Sequence, residues 1–112
     1  MSRLIVVARS EDTIAAPGNR KPNYIVVSVT DEDGKPVTGL TKRNFAVDSI
    51  IVGPGGALVN ITSVSKVRLD GFYILRVVPI RKETWKAGLY IFGVAVKRKK
   101  DQGQSLAKVL MD

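Results

Sequence analysis

The stretch that decides the fold is GLYIFGVAVK, residues 88 to 97. In an extended chain its side chains alternate. Tyr90, Phe92, Val94 and Val96 fall on one face, and Leu89, Ile91, Gly93, Ala95 and Lys97 on the other. A period of two, with aromatic and β-branched residues on one side, is the pattern of a strand that lays that side on a core. Two other stretches repeat it. NYIVVSVTD, residues 23 to 31, turns Ile25, Val27 and Val29 inward and Ser28 and Thr30 outward. GFYILRVVP, residues 71 to 79, turns Tyr73, Leu75 and Val77 to one side and Arg76 to the other. Pro79 closes that strand, because it has no amide hydrogen to give a ladder.

Working outward, alternating or β-branched runs recur at 3 to 9, 23 to 31, 44 to 52, 57 to 69, 71 to 79, 88 to 98 and 104 to 111, separated by Gly, Pro, Asn and Asp. No amphipathic helix pattern interrupts them. Seven short strands in a chain of 112 residues predict an all-β domain, a seven-stranded antiparallel immunoglobulin-like sandwich occupying residues 1 to 112. The expected core is Ile25, Val27, Val29, Phe45, Tyr73, Leu75, Tyr90, Phe92 and Val94. Between strands, GLTKRNF, residues 39 to 45, has the makings of one helical turn capped by Thr41, with Phe45 dropping into the core. VGPGGA, residues 52 to 57, reads as a turn. A phosphate-cradling loop would need a helix after its glycines, and the strand-like ALVNIT follows instead.

The bulk numbers agree with one soluble globular core. Hydrophobic residues are 45% and charged residues 25%, which places the chain outside the disordered and membrane classes. A chain of this length buries roughly two-thirds of the surface it exposes when unfolded. There is no cysteine and no histidine. Disulfides, thiolate zinc sites, Ser-His-Asp and Cys-His designs are therefore excluded, and the residues left offer no catalytic spacing. The expectation is a non-catalytic protein without a cofactor.

The acidic stretch VTDEDGKPVTGL, residues 29 to 40, is the one candidate for a metal loop. An EF-hand beginning at Asp31 requires glycine at its sixth position and glutamate at its twelfth, where this chain has Pro36 and Lys42. A weaker alternative joins Asp31 and Asp33 to a distant carboxylate such as Asp12 or Asp70. The competing reading is a turn in which Asp31 accepts backbone amides and Gly34 takes the left-handed conformation.

The formal net charge is +8, and it is unevenly spread: seven basic against six acidic residues in 1 to 56, eleven against four in 57 to 112. The densest run is Lys97, Arg98, Lys99 and Lys100, read as a strand end followed by a polar turn, KDQGQ. Such a run attracts polyanions through counterion release, which makes nucleic acid, sulfated glycan or an anionic surface the alternative partners. Leu89, Ile91 and Ala95 make the outward face of their strand apolar. That face is either covered by the N-terminal segment or is an interface with a protein partner or a second copy. NIT, residues 60 to 62, fits the N-glycosylation acceptor pattern, which means little without secretion.

Two stretches carry a resemblance. VSVTDEDGKPVTGLTKRNFAV, residues 27 to 47, runs strand, acidic-glycine turn, KPV, GL and a phenylalanine entering the next strand. WKAGLYIFGVAV, residues 85 to 96, places Gly88 and then Tyr90 at the entry of a late strand. Together they resemble bacterial immunoglobulin-like and related β-sandwich modules. The resemblance implies that Tyr90 forms a tyrosine corner. Phe92 stands where antibody-type domains have the second cysteine and Lys86 where they commonly have aspartate, which points away from the antibody branch. Modules of this kind serve as stalks, spacers and adhesive units, an analogy from fold alone.

The resulting expectation is a structural or interaction module that docks to proteins or to itself through a sheet edge, a sheet face or loops. The runner-up is a polyanion-binding module using the basic second half. No apolar run is long enough to span a bilayer, and Leu4 to Ala8 is too short for a signal peptide. The expected location is cytoplasmic if Met1 is the natural start, and the cell surface or a virion if the module is excised or otherwise exported.

Overall fold

The structure, a computed structural model, describes residues 3–10, 21–51, 59–80, 83–85 and 88–111. Seven strands form in chain order: β1 Ile5–Ser10, β2 Asn23–Thr30, β3 Phe45–Ile51, β4 Val59–Lys66, β5 Phe72–Pro79, β6 Gly88–Arg98 and β7 Asp101–Met111. Each predicted strand is present. They make two antiparallel sheets, one ordered β1-β2-β5-β4 and the other β3-β6-β7. This is the strand order of a constant-type immunoglobulin sandwich. The sheets pack into a body of 42 × 26 × 22 Å, elongated along the strands.

The inward faces are those the alternation marks. All nine expected core residues are buried, with Ile25, Val27, Val29, Leu75, Tyr90, Phe92 and Val94 wholly out of solvent. Every full burial of such an aliphatic side chain contributes about 1.5–3 kcal/mol from water exclusion. Leu4, Val6, Val37, Leu40, Ile61, Val77, Val96 and Ala107 extend the same core. Trp85 is the large addition. It lies outside any strand, fully buried, with Tyr90 edge-on at 5.3 Å and Phe92 at 6.4 Å. Its indole N–H donates to the Lys21 carbonyl at 2.7 Å, so the burial leaves no polar group unpaired. Tyr90 is buried as the tyrosine-corner expectation requires, but residues 86 and 87 of the turn before it lie outside the described residues.

Tyr73 anchors a loop. Its hydroxyl donates to the Val37 carbonyl at 2.7 Å and accepts from the Leu40 amide at 3.3 Å. The chain between β2 and β3 is thereby pinned to the core, and a 3-10 turn at Lys42–Asn44 then leads into β3. Phe45 enters the core there, 5.3 Å from the Tyr73 ring.

β1 bridges the two sheets. Its residues pair antiparallel with β2 from Ile5 opposite Thr30 to Ser10 opposite Ile25. Just before it, Arg3 bridges to Gln102 and the Leu4 amide donates to the Gln102 carbonyl at 2.9 Å. Close approach is possible because position 103 is glycine: a Cβ there would sit 2.1 Å from the Leu4 carbonyl oxygen. The N-terminal segment thus takes an edge of the opposite sheet and the margin of β7, with residues 5–10 hydrogen-bonded to β2.

Candidate functional site

At one end of the sandwich two hairpin-like turns lie close together. The acidic turn follows β2. Asp31 Oδ1 accepts the Asp33 amide at 2.8 Å and the Lys35 amide at 3.0 Å, and the Gly34 amide donates to the Asp31 carbonyl at 3.1 Å. Gly34 has φ +81°, the left-handed region that glycine enters without steric cost. The Asp31 carboxylate oxygen is therefore occupied by backbone, and Glu32 Oε1 accepts the Arg3 amide at 2.9 Å. Among the described residues no three of His, Cys, Asp or Glu gather as a metal would need. Asp12, offered as a distant partner, lies outside the described residues.

The basic turn joins β6 to β7, and it differs from the sequence reading. β6 pairs with β7 without a break from Gly88 opposite Met111 to Arg98 opposite Asp101. The turn is consequently only Lys99 and Lys100, and the residues expected to form a polar turn, from Asp101 onward, begin β7. Composition misleads because two lysines carry no turn signal; the long regular ladder on either side dictates the reversal. Lys99 pays the conformational cost, with φ +56°, where a side chain is disfavoured by about 1–2 kcal/mol. Arg98 Nη2 stands 3.7 Å from Asp101 Oδ2, while Lys97, Lys99 and Lys100 are exposed.

Tertiary structure adds cations the linear run does not contain. The Asn44 side-chain amide donates to the Lys97 carbonyl at 2.9 Å, which ties the exposed Lys42 and Arg43 to the basic hairpin. Asn44 is itself oriented by accepting the Thr41 amide at 2.9 Å. On the other side the bridge to Gln102 brings in Arg3. Between Arg3 and Arg43 runs a shallow trough over the end of the three-stranded sheet. Its lining includes Glu32, Ala46, Ala95, Lys97 and Gln104.

Two apolar outer faces are also present. On the three-stranded sheet, Ile91 and Ala95 are half-buried, the side chain of Leu89 lies outside the described set, and Leu106 across from Gly93 is 61% exposed. The four-stranded sheet carries another, which the alternation does not mark. Val26 pairs with Ile74, Ser28 with Phe72 and Asn60 with Val78, and each of these apolar side chains is half-buried on the outside. Val7, 60% exposed, and Tyr24, 37% exposed, extend it. The signal was in the sequence: IVV and VV put apolar residues on both faces of β2 and β5, the pattern of strands covered on two sides.

No family model, no curated protein and no solved structure matches this chain. What is shown is a two-sheet antiparallel β domain with 4 and 3 strands. No helix among the described residues is long and apolar enough to cross a membrane.

Proposed function

We propose that this chain is a non-catalytic, immunoglobulin-like interaction module that docks to a protein partner through the outer face of its four-stranded sheet. The observation that carries the reading is the apolar set Val7, Tyr24, Val26, Phe72, Ile74 and Val78 on the outer face of β1, β2 and β5, interrupted by Ser28 and Arg76. Isolated exposed apolar residues are ordinary; a set gathered across three adjacent strands is what protein interfaces use. The charges on this face are basic: Arg9 pairs in register with Val26, and Arg76 stands opposite Tyr24 between Ile74 and Val78. Two copies placed face to face would bring like charges together. A partner presenting an apolar patch edged by carboxylates fits the chemistry better.

The test places a photoreactive cross-linker at Tyr24 and compares the chain with an Ile74→Glu variant of unchanged circular dichroism. Partners captured by the parent and lost in Ile74→Glu, with cross-links confined to this face, would support the reading. Undiminished capture by Ile74→Glu would refute it. A dimer in light scattering that Ile74→Glu abolishes would reassign the face to self-association.

A further inference from the structure

The basic end carries a second activity, independent of the apolar face: we infer that Arg3, Lys42, Arg43, Lys97, Lys99 and Lys100 form one assembled site for the phosphate backbone of a nucleic-acid duplex. Four features converge on it.

The first is assembly. These cations come from three segments far apart in the chain, and specific hydrogen bonds hold them at one end: the Asn44 side-chain amide to the Lys97 carbonyl, and the Leu4 backbone amide to the Gln102 carbonyl. Of the nearby carboxylates, Asp101 faces Arg98, while Asp31 and Glu32 accept neutral backbone amides and keep their charge, so with Asp33 they oppose the cations in part without outnumbering them.

The second is the left-handed backbone at Lys99, φ +56°. Glycine would occupy that position without cost, and a lysine there holds a cation at the extreme tip of the hairpin against local preference. An outlier of this kind is a pointer to function.

The third is shape and donor chemistry. The trough is lined by Arg3, Arg43 and Lys97 together with Gln102 and Gln104 and one carboxylate, Glu32, while Lys42, Lys99 and Lys100 lie outside its lining. Guanidinium and amide groups along a trough suit a linear chain of phosphates. The fourth is the position of the aromatic rings. Phe45, Tyr73, Trp85, Tyr90 and Phe92 are committed to the core, and Tyr24 and Phe72 lie on the outer face of the other sheet. With no ring to stack on a base, the contact is to backbone and carries no sequence preference.

The experiment is fluorescence anisotropy with a short labelled DNA duplex of arbitrary sequence, titrated with the full chain over a series of salt concentrations. If six cations each meet a phosphate, the logarithm of the binding constant falls against the logarithm of salt with a slope of about −5. A Lys42→Gln, Arg43→Gln double variant, distant in sequence from the lysine run, is expected to weaken binding at low salt about tenfold and to flatten the slope by about 2. Lys99→Gly is the decisive companion, because it relieves the backbone while removing a cation: melting temperature should rise and affinity fall. A variant that merely damaged the fold would lower both.

Unchanged affinity in the double variant would overturn the assembled site, and so would the absence of duplex binding. Capture of heparin or of vesicles containing anionic lipid, without capture of the duplex, would overturn the assignment to nucleic acid. Because the apolar face is untouched by these substitutions, loss of partner docking in Ile74→Glu and loss of duplex binding here can fail separately.

Discussion

The acidic turn after β2 and the basic turn between β6 and β7 sit at the same end of the sandwich and solve the same problem, reversing an extended chain, in opposite ways. In the first, residue types match what the backbone demands. Asp31 receives two amides and Gly34 fills the left-handed position at φ +81°. In the second, the left-handed position holds Lys99 and the turn has no glycine at all. Asp31 turns its carboxylate inward, on the amides of its own turn. The basic turn directs its charge outward, at the expense of local geometry. Residue and backbone agree in the first turn and disagree in the second, and that disagreement is what motivates the proposal of a ligand there.

The comparison can be broken most severely at Gly71, which supports the acidic turn from below. Its φ is +81°, and a Cβ there would lie 2.8 Å from both Pro36 Cβ and the Val29 carbonyl oxygen. Gly71→Ala combines left-handed strain with a clash and should cost about 3 kcal/mol in chemical denaturation. Asp31→Ala leaves the Asp33 and Lys35 amides without their acceptor and should cost about 1–2 kcal/mol, comparable to the loss of a helix cap. Gly34→Ala has free space around it, so only backbone strain remains, and the expected cost is about 1 kcal/mol.

Lys99→Gly is the mirror of Gly34→Ala. Thermal denaturation should show a gain approaching about 1 kcal/mol, reduced somewhat by the extra freedom glycine has in the unfolded chain. Lys100→Ala sits beside it without positive φ, and its stability should stay within about 0.5 kcal/mol of the parent. If Lys99→Gly proved destabilising, or Gly34→Ala neutral, the contrast between the two turns would collapse.

Much of the architecture was legible before any coordinates. Strand number, strand type and the inward faces of β2, β5 and β6 follow from a period of two, and the helical turn ahead of Phe45 follows from GLTKRNF. The start of β7 was not legible, because a reversal at two lysines is imposed by the ladder on both sides of it. Trp85 carries no pattern signal for a related reason. It lies outside any alternating run, and only its bond to the Lys21 carbonyl and its packing against Tyr90 show that it closes the core. The apolar outer face of β2 and β5 was legible in principle, since IVV and VV break the alternation.

The candidate site divides along the same line. Lys97 to Lys100 can be read directly from the chain. Arg3, Lys42 and Arg43 join them only through Asn44 and the bridge at Gln102. Sequence by itself therefore determined where the strands are and which side of each is buried, because side-chain alternation is a local property of an extended backbone. Tertiary structure alone decided the order of the strands, the placement of Trp85 and the gathering of cations at one end. Those depend on contacts between residues remote in the chain, and pattern within a segment does not record which remote segment will meet it.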